Sequence, residues 1–363
     1  MLPNTGSRRC LPMLGALALL VPLLAIVLPQ PVAAAGVVTE CTEAALRAAV
    51  AGGGSVTFSC TGTILLRSQL EIAQDTVIDG GGNVKLDGLL QTRLIHVAAG
   101  ARLTLQSMTL TFGNARDGHG GAVYNEGDVI IHASTLSENE ASHGGAVYSH
   151  SDASLVITAS TLNANHARHG GGAIYNQARA DLTMTASTVS GNSADVAGGA
   201  IGNAGSAIVT ASTLVSLRGD SRTLISNSGS LRLTASIISG SRRACEGFIN
   251  SGGYNVSNDP LFCSLYRTGD LDNADLELGP LADNGGPTLT HLPQPDSPAL
   301  GRVPNDLCAE LSAANGGYDQ RGKDRPVEDA PCDSGAVEVT LATWCGWKSG
   351  RSPEPPDLAG WEC

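Results

Sequence analysis

The chain has 363 residues, of which 45 are glycine and only 4% are aromatic, and its 34 acidic side chains outnumber the 22 basic ones. This acidic balance argues against nucleic acid as a partner, because binding to a phosphate backbone needs a basic surface. Abundant glycine and few charges suit a solenoid whose core consists of many thin layers of small aliphatic side chains.

Residues 1–35 predict a secretory signal peptide. Arg8 and Arg9 precede an apolar run over residues 11–28, and three alanines at 33–35 form a small-residue cleavage site. Pro12 and Pro22 interrupt the run, which favours a cleaved signal over a retained membrane anchor. No second hydrophobic segment follows, so we expect a mature chain without a membrane span. The mature chain would then have 34 acidic and 20 basic side chains.

Residues 42–50, TEAALRAAV, have the one helix-like pattern near the start of the chain. The segment lies between Cys41 and a predicted strand at residues 55–60. An open solenoid needs a cap over its first apolar layer, and a helix at this place would provide it. We therefore assign residues 36–62 to an N-terminal cap.

The region from residue 119 to 245 repeats one unit, seen in HGGAVYNEGDVIIHASTLSENEAS and HGGAVYSHSDASLVITASTLNANHAR. A serine recurs every 24 to 27 residues, which is the spacing of solenoid repeats. These serines are Ser107, Ser134, Ser160, Ser187, Ser212 and Ser236. Within each unit apolar residues alternate with Thr, Ser and Ala, a period that indicates short strands. The predicted fold is all-β, a right-handed parallel β-helix over residues 63–263.

Asparagines recur at two turn positions of the repeat, where stacked amides can form hydrogen bonds along a ladder. We expect them to be structural. One set is Asn114, Asn139, Asn165 and Asn192, and the other is Asn125, Asn176, Asn203 and Asn227, with Ser149 in the remaining coil.

Eight cysteines remain once Cys10 leaves with the signal peptide, and none lies between residues 60 and 245. An even number in an exported chain favours disulfides at the two ends of the solenoid. Short loops are the easiest to close, so we predict sequential pairing. The predicted pairs are Cys41–Cys60, Cys245–Cys263, Cys308–Cys332 and Cys345–Cys363.

After residue 263 the repeat ends, and Pro, Asp and loops dominate residues 264–338, followed by a Pro/Trp/Cys tail at 339–363. The stretches GPLADNGGPTLTHLPQPDSPALG, YDQRGKDRP and CDSGAVE resemble the end of choice-of-anchor Q domain proteins, a group of bacterial exported β-helix proteins. The repeats GGAVYN and STLSENEA are similar to those of that group and of polymorphic outer-membrane proteins, and CTEAALRAAVAGGGSVTFSC resembles their opening. The resemblance implies a right-handed β-helix at, or released from, a bacterial surface. The tail lacks an LPxTG-type sorting motif.

Two sets of ring-bearing side chains recur at fixed repeat positions: Tyr124, Tyr148 and Tyr175, and His119, His143 and His169. Stacked imidazoles can hold a transition metal or relay protons, but a copied turn residue explains them as well, and we predict no metal. Outward tyrosines would offer a strip for stacking sugar rings. Inward tyrosines would fill a wide corner of the coil. We favour inward or wall-packed tyrosines, because exposed aromatic strips are uncommon. The two sets should occupy two separate edges of the coil.

Asp79, Lys85 and Asp87 are the best candidates for catalysis, because polysaccharide lyases and hydrolases need grouped carboxylates or a carboxylate beside a cation. Aspartate and glycine in VIDGGGNVKLDG are also ordinary turn residues. This candidate site rests on analogy with other β-helix enzymes more than on its own pattern.

We expect a monomeric, secreted or cell-surface interaction module without cofactor or catalysis, with a polysaccharide or cell-surface glycan as its partner. The alternative is a polysaccharide lyase or glycoside hydrolase that uses the side of the β-helix as a substrate groove. A purely structural or adhesive spacer is the third possibility. A repeated surface suits a repeated polymer.

Overall fold

The computed structural model describes residues 34–216, 223–240, 243–259, 263–325 and 331–339. Residues 1–33 of the predicted signal peptide lie outside these ranges, as do residues 340–363 with Cys345 and Cys363. Within the described ranges, no helix has the length and apolar character needed to cross a membrane.

The stack of strands begins inside the range predicted as the cap. Strand β1 pairs parallel with β2, and β2 pairs parallel with β5. The elements of this first part are β1 (Ala34–Val38), α1 (Glu43–Val50), β2 (Gly54–Phe58), β3 (Gly62–Leu65), β4 (Leu70–Ile72), β5 (Thr76–Asp87), β6 (Ile95–Val97) and β7 (Arg102–Thr111).

Helix α1 covers the first apolar layer, as predicted. The side chain of Thr42 accepts a hydrogen bond from the N–H of Ala45, which caps the helix start. Leu46 and Val50 are buried on its inner face. The Cys41–Cys60 disulfide ties the segment before the helix to the end of β2.

The repeats form regular coils of short strands. They contain β8 (Val123–Asn125), β9 (Asp128–His132), β10 (Thr135–Ser137), β11 (Glu140–His143), β12 (Val147–Ser149), β13 (Ser154–Thr158), β14 (Thr161–Asn163), β15 (His166–Gly170), β16 (Ile174–Asn176), β17 (Asp181–Thr185), β18 (Thr188–Ser190) and β19 (Ser193–Ala194). They continue with β20 (Ile201–Asn203), β21 (Ser206–Thr210), β22 (Thr213–Val215), β23 (Ile225–Asn227), β24 (Ser230–Thr234), β25 (Ile237–Ser239), β26 (Cys245–Glu246), β27 (Asn250–Ser251) and β28 (Val256–Ser257).

Successive coils pair parallel and in register, so the described chain is a parallel β-helix, as predicted. Sheet 1 has 17 strands, sheet 2 has eight strands in the order β4-β6-β8-β12-β16-β20-β23-β26, and sheet 3 contains β11, β15 and β19. Inside the coil, identical positions stack into aliphatic columns that are almost completely buried. One such column is Leu105, Ile131, Ile157, Met184, Val209 and Leu233.

A serine ladder joins the coils at the corner within sheet 1. The N–H of Ser134 donates to Oγ of Ser160 at 3.1 Å, and three further steps repeat this contact up to Ser236. The register predicted for Ser107 is wrong by one residue, because the N–H of Met108 makes the corresponding bond to Ser134. Ser107 instead has φ 51°, the left-handed position that Ala133 occupies in the next coil.

Apart from Asn114, the asparagines of the two sets are buried and structural. In the first, Asn165 donates through Nδ2 to Oδ1 of Asn192 at 2.8 Å, and Asn139 donates to Asn165 in the same way. Asn114 does not belong to this ladder, because the N–H of Gly113 bonds to Asn139 and Asn114 pairs with Glu140. Its predicted register is therefore wrong by one residue.

The second set follows the predicted register, with Asn176 donating to Asn203 and Asn203 to Asn227. Ser149 interrupts it. Its Oγ and the Oδ1 of Asn176 are both buried and have no hydrogen-bond partner among the described residues. Because the side chain of Ser149 is shorter than that of asparagine, the ladder is interrupted in this coil.

The loop-rich C-terminal region contains the antiparallel strands β29 (Leu278–Ala282) and β30 (Thr290–Pro293) and the helix α2 (Asn305–Ala314). The disulfides Cys245–Cys263 and Cys308–Cys332 form as predicted.

This region packs on the outer side of sheet 1. Gln320 donates to Oγ1 of Thr161 at 2.8 Å and accepts from Oγ1 of Thr188 at 2.6 Å, while His291 lies 2.8 Å from Oγ of Ser190. The motif that gives the tail its resemblance therefore contributes contacts that hold the tail against the coils.

A buried ionic cluster fixes the last part of this region. Arg321 pairs with Asp319 at 2.8 Å, and Arg325 pairs with Glu338 at 3.1 Å. Asp333 lies in the same cluster, where its N–H donates to the Glu338 carboxylate. All five side chains are nearly inaccessible to solvent, so three carboxyl groups share two guanidinium groups.

Candidate functional site

The three recurring tyrosines lie outside the coil, at the middle positions of β8, β12 and β16. Their backbone positions pair directly, Tyr124 with Tyr148 and Tyr148 with Tyr175. The neighbours Val123 and Asn125 are fully buried inside, so the alternation of a strand turns the tyrosine outward. The tyrosines therefore do not point inward, but Tyr148 is packed into the wall and is only 6% exposed.

The tyrosine rings stack on one another along the axis of the coil. The ring centroids of Tyr124 and Tyr148 are 5.5 Å apart with planes 7° from parallel, and those of Tyr148 and Tyr175 are 5.5 Å apart with planes 4° from parallel. Such offset stacking is a favoured geometry for aromatic pairs. Because neighbouring rings cover both faces of Tyr148, its ring cannot stack against a sugar.

The histidines do not form a separate edge, as the sequence suggested, but contact the tyrosines. His119 stacks on Tyr148 at 4.5 Å with planes 15° apart, and His143 meets Tyr175 edge-on at 4.9 Å. His143 and His169 stack at 5.0 Å. The glycine after His119, Gly120, has φ 63°, and this turn brings the imidazole back towards the sheet.

Five of the eight histidines of the chain therefore gather on one side of the molecule. We call this surface the aromatic face. It consists of His96, Tyr124, Tyr148 and Tyr175 on sheet 2, of His119, His143 and His169 along one side, and of Glu126, His150 and Gln177 along the other.

Three rings of the aromatic face, those of His119, His143 and Tyr148, are uncharged near neutral pH. Burial, together with the neighbouring His119 and His169, lowers the pKa of His143 to about 4. Burial also lowers the pKa of His119, with a contribution from Arg93. For Tyr148, burial raises the pKa to about 12, reinforced by the adjacent tyrosines. These three side chains are thus neutral hydrogen-bonding groups.

Sequence reasoning missed the end of the face that lies nearest the N-terminal cap. Nδ1 of His96 lies 2.7 Å from the carboxylate of Glu71, and its Nε2 lies 2.9 Å from the carboxylate of Glu126. The guanidinium of Arg93 lies 4.8 Å from the centroid of the Tyr124 ring. These coils lack the repeat motif, so only the register of β4, β6 and β8 places His96 in the tyrosine column.

The candidate catalytic residues do not form one site. Oδ1 of Asp79 accepts from the N–H of Gly81 at 3.0 Å, as a turn aspartate does. Lys85 forms an ion pair with Asp87 at 3.5 Å. In the described chain, no hydrogen bond or ion pair connects Asp79 with either of them.

Among the described residues, no group of three or more His, Cys, Asp or Glu side chains has the geometry to hold a metal ion. His143 and His169 instead share the hydroxyl of Ser142, whose Oγ lies 3.3 and 3.2 Å from their Nδ1 atoms. The Nδ1 of His119 is buried and has no hydrogen-bond partner in the described chain.

No family model, curated protein or solved structure matches this chain. The similarity of its repeats and tail to choice-of-anchor Q domain proteins therefore stays a prediction.

Proposed function

We propose that the protein is an exported carbohydrate-binding module that engages a polysaccharide along the aromatic face. The observation that carries this proposal is the continuous outward column of His96, Tyr124, Tyr148 and Tyr175 with histidines on both sides. Rings bordered by hydrogen-bond donors and acceptors are typical of surfaces that bind sugars, whose rings are apolar on their faces and polar at their edges.

The spacing of the coils supports a polymeric ligand. Strands of a parallel sheet lie about 4.8 Å apart, which is close to the length of one sugar residue in an extended chain. A linear glycan that runs along the axis would meet the same polar groups in each coil. The recurring imidazoles of His119, His143 and His169 are such repeated groups.

Export is part of the proposal. The three disulfides of the described chain suit an oxidising compartment, and the predicted signal peptide at residues 1–35 would direct the chain there. A secreted or surface-attached protein would meet polysaccharide outside the cell. We propose that it acts as a monomer.

The experiment is a glycan array with the purified mature chain, followed by calorimetric titration of the strongest ligand. In the variant His150→Ala/His169→Ala, groups on both sides of the face are removed, and we expect affinity to fall about thirtyfold, since each of the two lost hydrogen bonds contributes about 1 kcal/mol. The matched control is Thr183→Ala/Ser206→Ala, because both residues are exposed on sheet 1. Equal affinities of the two variants would contradict the proposal.

A second candidate function is polysaccharide cleavage, favoured by the arrangement of Glu71, His96 and Glu126. An imidazole held between two carboxylates, with the Tyr124 phenol bonded to Glu126, contains the groups that general acid and base catalysis uses. A reducing-end assay and an unsaturated-product assay on neutral and acidic polysaccharides test this function. Product release by the wild type that is lost in His96→Asn would establish the enzyme, whereas binding without product supports the module.

A further inference from the structure

The tyrosine column ends abruptly at Gly202. Its backbone pairs with Tyr175 in the register that the preceding tyrosines share, but it has no side chain to continue the stack. A Cβ added at Gly202 would lie 2.9 Å from Cδ2 of Tyr175, so the ring leans over this glycine. The next position in the column is Ser226, a small residue.

One face of the Tyr175 ring is therefore without an aromatic neighbour. Tyr148 covers the other face, and His143 touches the ring edge-on. We call the surface formed by Tyr175, Gly202 and Ser226 the ledge. Tyr124 and Tyr148 have no comparable opening, because Tyr148 lies between two tyrosines and Arg93 lies over the ring of Tyr124.

The residues around the ledge are small or apolar. The coil that contains Gly202 has Ala197 in place of the repeated histidine, and Ala197 bridges to Gly170. The adjacent Val196 is 55% exposed and adds apolar surface. Glu246 follows Ser226 in the column and is exposed. Its carboxylate accepts hydroxyl donors and repels anionic sugars.

We propose that the ledge is a subsite for one neutral pyranose ring, which stacks on the face of the Tyr175 ring that has no aromatic neighbour. This inference rests on the proposed binding of a glycan at the aromatic face, and it identifies the position and the sugar class. Binding at the ledge would anchor a polymer whose remaining residues follow the column towards His96.

The test is calorimetric titration of the mature chain with cellohexaose, mannohexaose and laminarihexaose as neutral probes and hexagalacturonate as the acidic probe. We expect a neutral probe to bind. Tyr175→Phe should keep the affinity within about threefold, because the ring remains, while Tyr175→Ala should lose about tenfold or more. Gly202→Tyr extends the column over the ledge and should lose binding as strongly. This variant also tests the ledge if Tyr175→Ala fails to fold.

Full affinity in Tyr175→Ala or in folded Gly202→Tyr would contradict the proposal that the ledge is a sugar subsite. If His150→Ala/His169→Ala still weakens binding in that case, the glycan lies elsewhere on the aromatic face and the proposed function survives. Binding of hexagalacturonate alone would also overturn the ledge but not the proposed function. Failure of all four probes to bind the wild type would contradict both.

Discussion

The rings of Tyr148 and Tyr175 lie 5.5 Å apart with their planes 4° from parallel, yet the two residues have different surroundings. Tyr148 is enclosed between two tyrosines and is 6% exposed, whereas Tyr175 is half-buried and has no ring neighbour on the side of Gly202. The same residue type at the same repeat position is thus part of the wall in one coil and of the surface in another.

Truncating these two tyrosines should separate stability from binding. We expect Tyr148→Ala to destabilise the fold by about 3 kcal/mol, because it leaves a cavity among packed rings. Tyr175→Ala should cost less, about 2 kcal/mol, since it removes two aromatic contacts at the end of the stack, with Tyr148 and His143. Urea unfolding measures both values. If Tyr175→Ala lowers the free energy of unfolding more than Tyr148→Ala does, then the assignment of Tyr148 to the wall and Tyr175 to the surface is reversed.

Replacing Ser149 with asparagine should complete the second ladder. The new amide would donate to Oδ1 of Asn176, which has no partner in the described chain, and accept from Asn125. We expect a gain of about 1–2 kcal/mol in the free energy of unfolding. Asn203→Ser is the matched control, because it interrupts the asparagine ladder in the same way one coil beyond Asn176. It should lower the free energy of unfolding by a similar amount. A loss of stability in Ser149→Asn would mean that this corner has no room for the amide.

The buried cluster of the C-terminal region should make stability fall as pH rises. Burial raises the pKa of Glu338 from 4.5 to about 8, the nearby Asp333 adds to this, and Arg325 opposes it. The folded state therefore retains a proton that the unfolded state releases between about pH 4.5 and 8, and the stability it contributes is lost over that window. Glu338→Gln should remove this part of the pH dependence in unfolding experiments. An unchanged pH profile of Glu338→Gln would contradict the retention of a proton on Glu338 in the folded state.

The aromatic face should give the opposite trend in acid. The pKa of His143 is lowered from 6.5 to about 4, so between these values the unfolded state takes up a proton that the folded state resists. Stability from this group is complete above about pH 6.5 and declines as the pH falls towards 4. His143→Phe keeps a ring without a titrating nitrogen and should flatten this decline. Combining it with Glu338→Gln should leave a profile without either trend.

The repeat period predicted the coils well, because a spacing of 24 to 27 residues with alternating apolar positions leaves few other folds. The three observed disulfides also follow from short loops at the ends of the solenoid. Cys345–Cys363 stays a prediction, since both residues lie outside the described chain.

The errors have physical causes. Ser107 and Asn114 lie just before the regular repeats, where their register is shifted by one residue. The contact between His119 and Tyr148 joins different coils and depends on a glycine turn, which the spacing of residues in the sequence does not reveal. Glu71 and His96 were not identified because their coils lack the repeat motif.

The most direct test of the aromatic face is a titration of the chain, labelled with ¹³C in its tyrosine rings, with the neutral hexasaccharide that binds most tightly. The chain has six tyrosines, and Tyr266, which is 83% exposed, and Tyr318, which is 47% exposed, are internal controls away from sheet 2. We predict that the ring signals of Tyr175 and Tyr124 shift in a saturable way while those of Tyr266 and Tyr318 stay in place. Saturable shifts confined to Tyr266 or Tyr318 would contradict binding at the aromatic face.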